Sequence, residues 1–210
     1  MSFKTVSPFE IDANFFHEIG KQWMLVAAAK PDGSTNAMTA SWGGIGFIWH
    51  QPVAFVFIRP QRYTKGFVET AATLSLSFFD NAHRKALNFM GSVSGYDDAE
   101  KVAHSGLTLA FHETGLLREQ AAQDGQDAAH SSLGAGHNSP GGALVERTPY
   151  FSEARLVLIC ERLYQQDMLP ECFLDSSQLE QWYGKYGDEN DLHTLYIAGV
   201  RQVLVADEAV

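Results

Sequence analysis

A mainly β fold, a closed or partly closed antiparallel barrel with peripheral short helices, is what this 210-residue sequence predicts. Three observations point there. Short apolar or alternating runs dominate the chain, turn residues punctuate them closely, and strands and helices do not alternate in the regular way that a parallel doubly wound sheet requires. With 45% hydrophobic and 19% charged residues, the chain is long enough to bury a sizeable core, and one domain spanning 1–210 is the expectation.

In chain order, Ser7, Pro8 and Glu10 open a helix predicted to run to about Ile19: a capping hydroxyl, proline in the first turn and glutamate three residues after the cap. Trp23 to Ala29 reads as a strand, reversed by the Pro31 and Gly33 turn. The second arm, Asn36 to Trp49, is interrupted by Gly43, Gly44 and Gly46, which within a strand mark a bulge or a close backbone approach. Val53 to Ile58 is apolar on both faces and so central. Thr73 to Phe79 alternates through Phe78, leaving Thr73, Ser75 and Ser77 on a face expected to meet water or ligand. Capping residues and acids predict short helices at Thr64 to Thr70, Asp80 to Met90 and Asp97 to His104. Strands return at Phe151 to Leu163 and Leu195 to Val205, with a short helix at Ser176 to Tyr183 between them. Arg118 to Gly142, rich in Ala, Gln, Ser and Gly, can bury little and reads as a flexible surface excursion.

The charge balance excludes several function classes. Twenty-five acids against 15 Lys and Arg give a net charge of −10, which opposes binding to nucleic-acid phosphates over a broad surface. No apolar run approaches the roughly 20 residues that a membrane helix needs. Glu10, Asp12 and Glu18 interrupt what would be the apolar part of a signal peptide, so a cytoplasmic protein is expected. Cys160 and Cys172 lack zinc or redox spacing and are expected to be reduced. His130 and His137 have no convergent partners, so no metal is expected. Neither GxGxxG after a strand, GxxxxGK[ST] nor HExxH occurs.

Four stretches are candidates for chemistry. Asn36 to Gly44, reading NAMTASWGG, combines small and hydroxyl residues with glycines, able to present backbone N–H and hydroxyl donors to a flat polar ligand or simply to bend the sheet. Arg59 to Lys65, reading RPQRYTK, sets three cations just before a helix whose N-terminus lies near Thr64, the pattern of a site for a small phosphate-bearing anion or of a solvated basic loop. Ser75 to Asp80 with His83, and Gly91 to Lys101, read alone as a strand edge and a loop. His193, at the entry to the last strand, is a weak catalytic candidate, and no Ser-His-Asp or Cys-His set assembles.

Together these stretches resemble the flavin reductase-like family of FMN-binding split barrels, particularly the flavoredoxin branch. The resemblance is carried by NAMTASWGG, by QPVAFVFIRPQRYT at Gln51 to Thr64, by SLSFFD at Ser75 to Asp80 and by EARLVLICERLYQQD at Glu153 to Asp167. It implies a six-stranded antiparallel Greek-key barrel, usually a homodimer with FMN near the interface. It implies further that Met38, Thr39, Ala40, Ser41 and Trp42 line the isoalloxazine and ribityl chain, that Arg59, Arg62, Tyr63 and Thr64 grip the phosphate, that Ser77, Phe78 and Phe79 lie along the flavin, and that Ser94 and Lys101 reach its phosphate end or the partner's site. Tyr96 and Thr194 stand where relatives often carry arginine. The implied function is an FMN-dependent oxidoreductase, a flavin reductase fed by NADH or NADPH. The alternatives are a flavoredoxin-type electron carrier with redox-protein partners, and a non-catalytic binding module.

Overall fold

The computed structural model describes residues 2–118, 144–183 and 191–207. Among the described residues ten strands run in chain order: β1 (Phe3–Val6), β2 (Met24–Ala29), β3 (Thr35–Ala40), β4 (Gly43–Ile48), β5 (Gln51–Ile58), β6 (Thr73–Phe78), β7 (Leu109–Arg118), β8 (Leu144–Phe151), β9 (Leu156–Asp167) and β10 (Thr194–Ala206). The α-helices are α1 (Phe15–His17), α2 (Tyr63–Thr70), α3 (Arg84–Ser92), α4 (Lys101–His104) and α5 (Ser176–Trp182).

The main sheet is antiparallel with strand order β3-β2-β6-β9-β10-β5-β4, and β1 pairs with β10. That is eight strands where the resemblance implied six, and β3 and β4 do not pair to close the barrel. β10 makes this possible. Its first half pairs with β5 and its last residues with β1, and two register shifts against β9 let a 13-residue strand bend between these neighbours.

Period-two alternation divides the core. Met24, Val26, Leu74, Leu76, Phe78, Leu158 and Tyr196 point to one side, where Phe67 and Val68 of α2 join them. Leu25, Ala27, Val157 and Ile159 point to the other, under Leu87 and Met90 of α3 and Phe151 at the end of β8. β2 and β6 are therefore buried on both faces.

Several expectations change here. The single arm from Asn36 to Trp49 is two strands, broken at Ser41 and Trp42. Gly43, at φ +155°, turns the chain where a Cβ would stand 2.6 Å from the Phe55 carbonyl oxygen. The helix expected from Ser7 to Ile19 is three pieces. Ser7 makes its capping box, but only one 3₁₀ turn follows before Ile11 extends, and the chain restarts with Asn14 capping α1, which continues into a π turn at Glu18–Gln22. The helix expected from Asp97 contracts to α4, because the preceding residues form turns on the Ser94 carbonyl. Phe151 to Leu163 divides between the end of β8 and β9.

The polar face of β6 does not meet water. The β7–β8 hairpin roofs it: Ser75 Oγ donates to the Pro149 carbonyl at 2.6 Å and Thr148 Oγ1 to Thr73 Oγ1 at 2.7 Å, all buried. Among the described residues Ser77 Oγ has no hydrogen-bond partner. The excursion read at Arg118 to Gly142, with His130 and His137, lies outside the described residues apart from Arg118, which ends β7. Among the described residues no helix is long and apolar enough to cross a membrane, no cluster of metal-ligating side chains occurs, and both cysteines are free.

Candidate functional site

Two adjoining cavities open where the end of β3, the end of β5, the start of α2, the α3–α4 connection and α5 meet. The larger, about 660 Å³, is lined by Arg59, Gln61, Arg62, Tyr63, Thr64, Ser94, Lys101 and Asp191. The smaller, about 340 Å³, is lined by Thr39, Ala40, Ser41, Trp42, Phe57, Trp182 and His193. Met38, Arg59 and Arg62 border both. The pair thus forms one elongated cleft with a cationic end and an aromatic end.

The cationic end is built by local rules. Arg62 occupies the N-cap position of α2, and the first N–H groups of that helix have no intrahelical acceptor. The Arg62 guanidinium donates to the Gly91 carbonyl at 2.9 Å. Lys101, buried at the start of α4, donates to the Met90 and Val93 carbonyls at 3.1 and 2.8 Å, capping the C-terminal end of α3. Among the described residues neither cation has a carboxylate within salt-bridge distance. Burial and the neighbouring Arg62 charge push Lys101 down to about 8. Burial and Arg59 likewise lower Arg62 below the usual arginine range. Two cations held close in a half-dry cleft are an electrostatic deficit that a bound anion relieves.

Arg59 differs from them. It forms an ion pair with Asp191, whose side chain is only 2% exposed, and donates to the Trp182 carbonyl at 2.9 Å. Gln61 donates to the same carboxylate. Thr64 reaches the cleft wall, but its Oγ1 accepts from Asn36 Nδ2 at 2.8 Å and is buried, so its hydroxyl ties α2 to β3. Tyr63 is a wall residue: its ring contacts Phe67 and Tyr96 at centroid distances of 5.1 and 4.6 Å, and a Cβ at position 95 would overlap it, which requires Gly95 there.

The aromatic end is formed by Trp42, with Trp182 edge-on at 5.3 Å and His193 at 5.0 Å. Burial, then Arg59, lower His193 to about 4, so it is a neutral imidazole at pH 7, its Nδ1 bonded to Tyr183 Oη at 2.8 Å. Ser41 and Trp42 lie between β3 and β4, outside both ladders, and line this chamber. Thr39 Oγ1 is committed to the Leu87 carbonyl at 2.6 Å.

Eleven of the sequence-predicted positions, with His193, therefore converge on one cleft. Ser77, Phe78 and Phe79 do not. Phe78 is buried in the core on one side of β6, and Ser77 and Phe79 are buried on the other, because β6 is an interior strand with no face free for a ligand. The two departures from the family pattern sit apart from each other: Tyr96 is exposed at the rim against Tyr63, and buried Thr194 donates to Asp167. Sequence reasoning missed Trp182, Gln61 and Asp191. Asp191 stands two residues before His193, the one local signal that pointed toward it.

No protein-family profile and no curated protein sequence matches the chain. Solved structures do. A flavin reductase-like FMN-binding domain from Shewanella baltica superposes with a TM-score of 0.56 at 15% identity, over 97% of this chain and 77% of that one. Flavoredoxin of Desulfovibrio vulgaris gives 0.54 at 18%, over 90% and 71%. Flavoredoxin from Methanosarcina acetivorans gives 0.57 at 12%, over 96% and 77%. The chain has the FMN-binding split-barrel fold. Within that fold, the cleft described above lies between the β3 exit and the α2 start.

Proposed function

We propose that the chain is an FMN-binding flavoprotein oxidoreductase, a flavin reductase-like enzyme drawing electrons from NADH or NADPH in the cytoplasm. The observation that carries the reading is the pairing of Arg62 and Lys101, two cations without carboxylate partners among the described residues, with an aromatic chamber next to them. That donor set fits a planar heterocycle with a phosphate tail: the cations and the α2 N-terminus suit the phosphate, and Trp42, Trp182 and Phe57 suit the ring.

Bound FMN would supply the redox chemistry, accepting hydride at N5 and passing electrons to a second acceptor. The protein's part is binding and electrostatics. Arg62 and Lys101 hold the phosphate end, while the Ser41 hydroxyl and the backbone N–H groups of Ser41 and Trp42 favour negative charge on the ring edge. Neutral His193, fixed by Tyr183, lines the chamber without adding charge.

Trp182, 44% exposed and stacked edge-on against Trp42, also gives the chamber an aromatic contact with the surface, which favours a second reading: electron exchange with a redox-protein partner. We further propose a homodimer. Strand β4 is an edge of the sheet and, with the turn after it, exposes Phe47, Ile48 and Trp49, the kind of unpaired apolar edge that natural sheets cover. Sedimentation of the purified protein tests it, and a monomer at micromolar concentration refutes it.

The functional test is a visible spectrum with FMN titration, then NADH and NADPH oxidation with free FMN as acceptor. Bound flavin with turnover supports the reductase. Bound flavin with no turnover above background leaves the carrier. A colourless protein that fails to bind FMN refutes both and leaves a binding module.

A further inference from the structure

We propose that Arg59 is a latch for the ring chamber and not a phosphate ligand: held by Asp191, it fastens the end of α5 so that Trp182 walls the aromatic end of the cleft. The inference rests on the flavin reading and assigns within it a positioning residue and a wall residue.

The guanidinium is already occupied. Nη1 pairs with Asp191, Nη2 donates to the Trp182 carbonyl at 2.9 Å, and one face lies 5.1 Å from the Tyr183 ring centroid. Asp191 is itself fixed, since its second oxygen accepts from Gln61 and its side chain is almost fully buried. Both terminal nitrogens of Arg59 are thus engaged before a phosphate arrives, whereas among the described residues the Arg62 guanidinium donates to the Gly91 carbonyl and has no carboxylate partner. From Arg59 the contacts continue to the chamber: the residue whose carbonyl it holds is Trp182, whose ring stands against Trp42, and the next residue, Tyr183, holds His193. Pinning one carbonyl thus fixes two walls of the ring chamber.

Equilibrium binding of FMN and of riboflavin, which lacks the phosphate, separates the roles in the full chain. Arg62→Ala should lower the preference for FMN over riboflavin by on the order of tenfold or more. Arg59→Met and Trp182→Ala should instead weaken both ligands by the same factor, about tenfold for a lost aromatic wall. Both should also blur the resolved shoulders of the visible flavin band as the ring meets water, a change Arg62→Ala should not produce. If Arg59→Met lowers the FMN-to-riboflavin preference as Arg62→Ala does, Arg59 is a phosphate ligand and the proposal fails. Equal weakening with an unchanged band, or no effect of Trp182→Ala, also overturns it. Should Arg59→Met fail to fold because Asp191 loses its partner, Trp182→Ala, at a half-exposed side chain, carries the same comparison. A wild-type chain that binds neither ligand refutes the flavin reading itself, a result distinct from all of these.

Discussion

The outer face of β6 and the exit of β3 carry similar residues and meet opposite surroundings. On β6, Thr73, Ser75 and Ser77 alternate with Leu74, Leu76 and Phe78; at β3, Thr39 and Ser41 alternate with Met38, Ala40 and Trp42. β6 looked ligand-facing from its alternation, and the β3 exit from its small and hydroxyl residues beside glycines. β6, between β2 and β9, is roofed by the β7–β8 hairpin, and its hydroxyls face Thr148 and the Pro149 carbonyl. β3 is the last strand of the sheet, with α2 and α3 beside it, and beyond Ala40 the chain leaves the ladder and lines a cleft. Alternation marks a face that needs polar partners; position in the sheet decides whether protein or ligand provides them.

The largest test exchanges the two regions. Phe78→Ala, at a fully buried ring, should cost about 3–5 kcal/mol of unfolding free energy, read by urea denaturation, while the FMN affinity of the molecules that remain folded stays within a factor of two or so of wild type. Arg62→Ala should do the reverse, losing about 2 kcal/mol of FMN binding with an unfolding midpoint little changed. A Phe78→Ala protein that stays stable and loses FMN would return Phe78 to the ligand.

The same contrast explains what was legible in the sequence. Strands β2, β5, β9 and β10 were readable because apolar runs of five or more residues leave little else to form, and the α2 start was readable from its cations and following periodicity. Met38 to Trp42, Arg62, Lys101 and His193 line one cleft because the end of β3 and the residue stretches beside the starts of α2, α4 and β10 meet there. The β7–β8 hairpin was missed, as its strands flank a segment whose composition hides any pairing, and with it went the fate of the β6 face. Arg59 and Asp191 are 132 residues apart, a separation at which only the folded sheet makes them neighbours. A cation read as free for a phosphate was for that reason already spoken for.

A smaller effect sharpens the cationic end. Lys101 has a folded pKa of about 8 against 10.5 for an unburied lysine. Between those values the unfolded chain holds more protons, so the stability of ligand-free protein should rise as pH climbs from about 8 toward 10.5. FMN binding has the opposite sign, because the phosphate requires the charged amine: affinity should fall above pH 8 by at most about tenfold per pH unit. Riboflavin titrated in parallel should show no such slope, and Lys101→Met should remove it. A slope shared by both ligands would place the titration elsewhere.

The smallest difference lies within β6 itself. Ser75 Oγ gives its proton to the Pro149 carbonyl at 2.6 Å, whereas Ser77 Oγ, equally buried, has no hydrogen-bond partner among the described residues. Removing a satisfied hydroxyl loses a hydrogen bond, and removing an unsatisfied one relieves a desolvation cost, so two chemically identical substitutions two residues apart should differ in sign. Ser75→Ala should destabilise by about 1 kcal/mol and Ser77→Ala should be neutral or stabilise by a similar amount, compared as urea midpoints at unchanged slope. Equal destabilisation by both would mean that a buried water bonds Ser77 and completes the polar stripe under the hairpin. Loss of FMN affinity in Ser77→Ala at unchanged stability would instead place its hydroxyl on the ligand and dissolve the distinction between the roofed face and the open one.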